Sequence, residues 1–325
     1  MAKVKTFKTI FPAVSVPLND DYSINEPEFR AYLRWIKTFY GKGMDGLVCN
    51  GHTGEITGLT RAERKRVVEI CAEECGDVMT IISGVNCENT AESIEMAKEA
   101  KEAGADGILL MPPHMWLRFG MNPDAPFEYV KDVAEGADID IIIHLYPATS
   151  KAFYPVETLI KMCKEIDHVK CIKMGTRVTS IYEHDVRLLR QECPDISLIT
   201  CHDETLCVSW FPGMDGALIG FAGCVPEIIC PAREVFANPD KHTLKEAQDW
   251  SDRIYHISQA IYGGGQPSGE AHARLKEALK QRGIFSSALM RKPVLPLNDE
   301  EKAWVALGLE RSQLPEVDMT QFEDK

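Results

Sequence analysis

The chain has 325 residues, of which 45% are hydrophobic and 26% are charged, a balance typical of a globular protein with its own core. Its net charge of −13 argues against a nucleic-acid partner, since contact with phosphates favours a basic surface. No apolar run approaches the roughly 20 residues of a membrane span, and the first residues lack the apolar core of a signal peptide, so we expect no membrane association and a cytoplasmic location.

Short apolar runs alternate with amphipathic segments along most of the chain. The runs, which we interpret as β-strands, cover residues 10–16, 46–49, 79–84, 107–111, 139–146, 169–173, 196–201 and 217–220. The segments between them, which we interpret as helices, cover residues 26–40, 61–75, 91–103, 126–135, 156–165, 180–190, 204–211 and 226–236. Eight such units predict an α/β fold with parallel strands, a TIM (β/α)8 barrel. A doubly wound open sheet is the alternative, which the lack of an early GxGxxG motif disfavours.

The pattern changes after about residue 238, where only helices are predicted. Three helical segments cover residues 241–262, 268–281 and 299–308, and a polar tail that we expect to be frayed follows residue 315. We therefore predict a catalytic barrel domain over residues 1–237. A C-terminal three-helix extension with its tail is predicted over residues 238–325.

Lys173 is the least expected residue of the predicted strands. Residues 168–175 have the pattern of a short buried strand that ends in a glycine turn, and a strand buried on both faces is normally apolar. The amine must reach solvent, pair with a carboxylate or lose its proton. Because a neutral, desolvated lysine condenses with ketones, the sequence indicates Schiff-base chemistry; a strand-end lysine that extends to solvent is the alternative.

Other chemically useful residues also follow predicted strands, where the reacting groups of a TIM barrel lie. Tyr146 ends the strand next to that of Lys173, and a phenol of lowered pKa at this place can relay protons. In the loop after the second strand, Gly51, His52 and Thr53 offer a flexible backbone, amides and a hydroxyl that can hold a carboxylate. Together these residues predict an enzyme that activates a 2-oxo acid as an iminium.

The same residues resemble a known family. Loop 51–55 (GHTGE) matches the G-x-x-G-E loop of the dihydrodipicolinate synthase / N-acetylneuraminate lyase superfamily, and residues 104–107 (GADG) match its signature before the fourth strand. Tyr146 and Lys173 match its strand-5 tyrosine and strand-6 Schiff-base lysine, and the order agrees from about residue 10 to residue 309. The resemblance implies a class I lyase that forms a pyruvate-type imine. It also implies no metal or organic cofactor and a homotetramer built as a dimer of dimers.

Three departures separate the chain from dihydrodipicolinate synthase itself. His52 stands at a threonine position, Met115 is near the position of a tyrosine that completes a proton relay, and Lys151 is the best match for an arginine that binds a second carboxylate. Condensation of the dihydrodipicolinate synthase type is therefore kept as an alternative.

Residues 114–118 (HMWLR) look like the strand-4 loop of hydratase-aldolases that cleave benzylidenepyruvates. That resemblance implies hydration of a substituted 2-oxobut-3-enoate, followed by cleavage to an aldehyde and pyruvate. A sugar-acid or hydroxyproline-pathway dehydratase or deaminase of the same superfamily is a second alternative. A non-catalytic barrel that senses a small acid is a third.

Three residues are predicted to shape the acceptor end of the substrate site: His52, Trp116 and His202. Leu218, at the end of the eighth strand, is also predicted to contact the substrate. His52 can bind the carboxylate, act as an acid or base, or only fill the threonine space. Trp116 can form a substrate wall or pack at a subunit interface.

Three further polar residues receive structural roles. Glu55 is expected to cap amides of its own loop, and His144 to make hydrogen bonds within the core. Asp203 is expected to begin the next helix, since adjacent side chains at a strand end point in different directions and do not converge on a metal.

Overall fold

The computed structural model describes residues 3–263 and 269–324. Its eight parallel strands are β1 (Ile10–Pro12), β2 (Gly46–Cys49), β3 (Thr80–Val85), β4 (Gly107–Leu110), β5 (Asp140–His144), β6 (Val169–Met174), β7 (Ser197–Thr200) and β8 (Gly216–Ile219). From β2 to β8 each strand pairs with its neighbours in the chain, and β1 pairs with β8. Ala13, just beyond β1, bridges to Val48 of β2, so the sheet closes on itself. The predicted TIM barrel is confirmed.

Helices follow the strands and surround the barrel. They are α1 (Glu26–Lys37), α2 (Arg61–Cys75), α3 (Thr90–Glu102), α4 (Met115–Phe119), α5 (Ala125–Ala137), α6 (Val156–Glu165), α7 (Thr179–Glu192), α8 (Leu206–Trp210), α9 (Pro226–Ala237), α10 (Leu244–Tyr262), α11 (Gly269–Gln281) and α12 (Asp299–Arg311). Local capping explains several starts. Thr60 and Glu63 form a reciprocal capping box at α2, and the Asn89 side chain accepts a hydrogen bond from an amide of α3.

Two segments differ from the prediction in ways that affect the site. The helix predicted over 204–211 is divided into a 3-10 turn (Asp203–Thr205) and α8, because the backbone of Thr205 departs from the helical conformation, with φ −138° and ψ 40°. The short helix α4 was not predicted. Its first amides, those of His114 and Met115, donate to the carboxylate of Glu88, a cap that comes from the distant β3–α3 loop.

A layer of apolar side chains fills the interior of the barrel, and its members show which way the side chain of Lys173 points. Ile142 of β5 and Cys171 of β6 both belong to this interior cluster. Because side chains along a strand alternate between faces, His144 and Lys173, each two residues further on, point to the same interior side. The two residues are also paired in the register of β5 with β6.

The C-terminal helices pack on one another, and α10 also packs on α9. The predicted start of α11 at residue 268 lies outside the described residues. The prediction of a frayed tail is wrong, because residues Met319–Phe322 form a 3-10 turn on α1, where Arg34 donates to the carbonyl of Phe322 at 3.0 Å. Within residues 3–263 and 269–324, no helix combines the length and apolar character that crossing a membrane requires. The division at residues 237 and 238 stays a prediction.

Candidate active site

A cavity of about 390 Å3 lies at the C-terminal mouth of the barrel. Six of the predicted site residues line it: Gly51, His52, Thr53, Tyr146, Lys173 and Leu218. Some of these residues lie at strand ends and others in the loops that follow the strands. The closed barrel brings them together, although more than 160 positions separate the first from the last. The remaining lining residues come from β4 and β5, from the segments that follow β1, β4, β5, β6, β7 and β8, and from α10 and α11.

The amine of Lys173 is half-buried in this cavity. Within the described part of the chain, its Nζ forms no hydrogen bond and no ion pair. Burial lowers the pKa of Lys173, and the positive charge of Arg177 acts in the same direction. The neighbouring Cys201 and Asp203 oppose this shift without reversing it. Burial and the charge of Arg177 favour the neutral form of the amine more than in a lysine exposed to solvent, at a place that a ketone can reach.

The loop after β2 leaves two backbone amides available beside the lysine. Its turn is closed by hydrogen bonds from Gly54 N to Gly51 O at 3.1 Å and from Glu55 N to His52 O at 2.9 Å. The amides of His52 and Thr53 donate to no group in the described part of the chain. Free amides at a turn can hold an anion such as a carboxylate.

Glycine at position 220 permits the close packing of this corner. A Cβ there would lie 2.7 Å from the hydroxyl of Tyr262 and 3.0 Å from Oγ1 of Thr53. We call the loop after β2, residues 51–55, the carboxylate loop because of its proposed role. It lies directly against the end of β8, beside α10.

The hydroxyl of Tyr146 is placed between two imidazoles. It lies 3.3 Å from Nε2 of His52 and 3.3 Å from Nε2 of His114. The amide nitrogen of Asn86 lies 3.2 Å from the same Nε2 of His114. Burial raises the pKa of Tyr146 above its usual range, so the lowered pKa on which its relay role was conditional is not found. Tyr146 keeps its proton at neutral pH and can share it with the imidazole nitrogens beside it.

Three histidines of the cavity, His52, His144 and His272, are held in their neutral form. Burial lowers the pKa of His52 to about 3, with a further contribution from the charge of Lys173. Burial lowers the pKa of His272 to about 4 and that of His144 well below its usual value. His144 does not make the expected hydrogen bonds in the core, since its buried Nδ1 has no partner among the residues described.

Asp203 and Arg177 form the charged side of the cavity. Oδ1 of Asp203 accepts from the Tyr262 hydroxyl at 2.7 Å and from the amide of Phe221 at 3.2 Å. Burial raises the pKa of Asp203 to about 6, although the Tyr262 hydrogen bond opposes the shift. The guanidinium of Arg177 is bound by the carboxylate of Glu204.

Glu55 fastens the carboxylate loop to the C-terminal helices. The expectation that it caps its own loop is wrong, because its carboxylate binds the buried ammonium of Lys276 on α11 and accepts from the amide of Arg291 at 2.8 Å. Glu55 has a positive φ of 56°, which turns the chain at this point. The loop thus depends on residues that follow it by more than 200 positions.

Two predicted site residues lie outside the cavity. Trp116 packs against Tyr129 and Tyr154, with ring centroids 5.7 and 6.2 Å away, while His114, two residues earlier, faces Tyr146. His202 packs on Tyr182 at 4.7 Å and lines a second cavity of about 380 Å3 between α7 and α8. Their substrate contacts stay predictions that this geometry does not favour.

The sequence interpretation missed His114, Arg177, Tyr262 and His272 as residues of the cavity. His114 had a usable signal, since it lies in the loop after β4. Arg177 had one as well, four residues after Lys173. Tyr262 and His272 had none, because their position depends on how α10 and α11 dock on the barrel mouth.

Residues 6–311 match the model of the dihydrodipicolinate synthetase family. The chain belongs to this family. A 4-hydroxy-tetrahydrodipicolinate synthase of Bartonella bacilliformis is 26% identical over 309 residues, which cover 94% of this chain and 98% of that protein. A protein of Thermofilum pendens called an uncharacterized DapA-like lyase is 25% identical over 292 residues, with coverages of 89% and 92%. As a family member, the chain is an enzyme of the carbon–carbon lyase and aldolase class.

Solved structures of family members have the same fold. YagE, a prophage protein of this family from E. coli K12 solved in complex with pyruvate, aligns with a TM-score of 0.85 at 21% identity, over 95% of this chain and 100% of that chain. A dihydrodipicolinate synthase from Aquifex aeolicus aligns with a TM-score of 0.83 at 19% identity, with coverages of 96% and 100%.

Proposed function

We propose that the chain is a Schiff-base lyase of a 2-oxo acid, pyruvate in the simplest case, in which Lys173 forms the imine. The observation that carries the proposal is the amine of Lys173, which faces the cavity without a partner among the described residues and has a lowered pKa. The family relationship supports pyruvate as the ketone, and so does the E. coli K12 structure, which contains pyruvate.

The residues around Lys173 divide the work of imine formation. Neutral Nζ attacks the C2 carbonyl, while the amides of His52 and Thr53 hold the carboxylate. The phenol of Tyr146 takes a proton from the nitrogen of the adduct as its own proton passes to an imidazole. That proton passes on to the alkoxide oxygen of the adduct, which gives the carbinolamine. A second proton, taken up from solvent, lets the hydroxyl leave as water, and the nitrogen lone pair completes the iminium.

We further propose that the reaction is that of a hydratase-aldolase. Water adds across the C3–C4 alkene of a substituted 2-oxobut-3-enoate that is conjugated to the iminium: the hydroxyl goes to C4, and a proton added at C3 restores the iminium. The C3–C4 bond then breaks, the C4 hydroxyl proton is removed, and an aldehyde leaves while the electron pair forms an enamine. Protonation at C3 and hydrolysis release pyruvate. The apolar side chains of Leu109, Leu117 and Leu218 in the cavity support an acceptor half with a hydrophobic part.

Condensation of the dihydrodipicolinate synthase type is the second candidate. It is favoured by relatives of 25–26% identity that are called 4-hydroxy-tetrahydrodipicolinate synthase. It is disfavoured by Lys151, the one residue proposed for a second carboxylate, because its ammonium donates to the carbonyl of Arg118 at 3.1 Å and does not line the cavity.

Borohydride trapping tests the imine. Incubation with pyruvate and borohydride, followed by mass spectrometry of peptides, is expected to give a reduced adduct on Lys173 and none in Lys173→Ala. An intact protein without an adduct, or an adduct that persists in the variant, contradicts the proposal. Product analysis with 4-phenyl-2-oxobut-3-enoate, and with pyruvate plus aspartate semialdehyde, then separates the two candidates.

We also propose a homotetramer in the cytoplasm. The eleven cysteines are free thiols, which suits a reducing compartment. One structural neighbour is described as a monomeric dihydrodipicolinate synthase variant, so the assembly requires a test of its own.

A further inference from the structure

The charges around the cavity restrict the part of the substrate that lies beyond the ketone. Lys173 and Arg177 are the cationic side chains among the described lining residues, apart from the histidines. Lys173 is bonded to the ketone carbon in the proposed imine, so it is not available to pair with a second carboxylate. Arg177 is bound by the Glu204 carboxylate and donates to the carbonyls of Gly175, at 3.1 Å, and Cys201, at 3.4 Å. Its charge is therefore already neutralised.

A negative charge on this side of the cavity would also meet Asp203. The carboxyl of Asp203 has its pKa raised only to about 6, so it is ionised near neutral pH. A second carboxylate on the substrate would find no free cation to pair with among the described lining residues, and it would be repelled by Asp203.

His272 can instead hydrogen-bond to an uncharged polar group of the substrate. It projects from α11 into the cavity and makes no hydrogen bond with any residue in the described part of the chain. Its neutral ring can donate one hydrogen bond and accept another. Lys276, one helical turn later, is bound by Glu55, and this ion pair fixes the face of α11 that carries His272.

We propose that the cavity selects an uncharged acceptor half, and that His272 hydrogen-bonds the oxygen which becomes the aldehyde oxygen. This inference rests on the proposed function, since it assumes that the ketone is anchored at Lys173. His272 is then a specificity-determining residue supplied by the C-terminal helices.

A matched pair of ligands tests the charge selection. The pair is 4-phenyl-2-oxobut-3-enoate and its 4-(4-carboxyphenyl) analogue, which differ by one carboxylate. The concentration that half-saturates borohydride trapping on Lys173 is measured for each, so no turnover is required. We expect the uncharged ligand to half-saturate at a concentration at least tenfold lower. Equal values, or a preference for the carboxylated ligand, overturn the inference.

Variants of His272 test its role. His272→Ala is expected to raise the half-saturating concentration of the phenyl ligand about tenfold, and His272→Asn to recover part of the loss. His272→Arg is expected to narrow or reverse the preference against the carboxylated ligand. His184→Arg, on the exposed face of α7, is the control and is expected to change neither value. Unchanged values in all three His272 variants overturn the assignment.

Pyruvate separates failure of this inference from failure of the proposed function. If pyruvate gives no adduct on Lys173, the Schiff-base proposal itself is wrong. If pyruvate is trapped normally in the parent protein and in the His272 variants while the carboxylated ligand is preferred, only the selection for an uncharged acceptor is wrong.

Discussion

The two imidazoles beside Tyr146 differ in their ability to take its proton. His52 lies next to Lys173, and burial with this charge holds its pKa at about 3, which makes it a poor base. His114 is at the same distance from the phenol, and the amide nitrogen of Asn86 lies 3.2 Å from the same Nε2. Since His52 is a poor base, we expect the proton that leaves Tyr146 to pass to His114.

Replacement of His114 should slow imine formation rather than abolish binding. We expect His114→Ala to lower the rate of trapping with pyruvate by roughly 100-fold, because general acid–base catalysis contributes about 10²–10⁴-fold. Imidazole added to the medium should restore part of the rate. His184→Ala serves as the control. A normal rate in His114→Ala, or a slow rate that imidazole does not improve, would argue against a proton transfer through this residue.

Asp203 should control the pH at which Lys173 becomes reactive. Above pH 6 or so its carboxylate is ionised and favours the ammonium form of Lys173, which opposes the effect of burial. Asp203→Asn removes this attraction, so the pKa of Lys173 falls further. The acid limb of the pH profile of kcat/KM for pyruvate should move to lower pH. An unchanged limb, or a move to higher pH, contradicts this assignment; Asp195→Asn, on an exposed loop, is the control.

A residue of the cavity could be predicted from the sequence when the order of the strands alone fixed its position. Lys173 and Leu218 lie near the ends of β6 and β8, while Tyr146 and residues 51–53 follow β5 and β2. The rule that strand ends meet at the mouth was sufficient to bring them together. Trp116 was misplaced because α4 is helical. Successive side chains of a helix turn by about 100°, so His114 can face the cavity while Trp116 packs away from it.

At the level of elements, the ion pair between Glu55 and Lys276 joins a barrel loop to α11. The exposed fractions of the two side chains are 8% and 0%, so neither charge is well hydrated. Loss of one partner leaves a buried charge unpaired, which typically costs about 3–5 kcal/mol.

Lys276→Met is expected to lower the free energy of unfolding by about 3–5 kcal/mol and to raise KM for pyruvate, because the carboxylate loop loses its anchor. The double variant Glu55→Gln/Lys276→Met should recover most of the stability. Lys98→Met, which breaks an exposed ion pair with Glu95 on α3, should cost about 0–1 kcal/mol. Urea denaturation measures all three. A single variant as stable as the control would show that the pair does not support the loop.

The elements that the sequence predicted are those with local signals. α2 and α12 begin at capping residues that stand beside them in the chain, and both were predicted to start at the observed residue. The cap of α4 comes from Glu88 on another loop, and the break before α8 depends on the backbone at Thr205. Neither cause leaves a periodic pattern in the sequence, so both features were missed.

At the level of the whole molecule, exposed apolar side chains form two groups that suit the proposed assembly. The α4 patch consists of Met115, Leu117 and Phe119, and the α7–α8 patch consists of Val178, Ile181, Val208 and Phe211. Phe119 and Phe211 are the most exposed members, at 75% and 64%. A dimer of dimers needs two different interfaces, and patches of this kind commonly mark them.

Charged substitutions in the two patches should therefore divide the tetramer. We expect Phe119→Asp and Phe211→Asp each to yield dimers, and the double variant to yield monomers, in sedimentation-velocity experiments. Leu244→Asp, at an exposed position on α10, is the control and should keep the parent mass. A parent protein that sediments as a monomer, or single variants with the parent mass, contradicts the assignment of these patches.

The bond between Glu55 and Lys276 also orders events during synthesis. The two residues are 221 positions apart, and the ribosome makes the chain from the N-terminus. All eight strands and Lys173 leave the ribosome before the partner of Glu55 exists. Residues 51–55 are made before Lys173, but their loop gains its anchor only after Lys276 has been made. Under the proposed function, the nascent barrel carries its nucleophile before its carboxylate site is anchored, and we expect catalytic competence only when α11 docks.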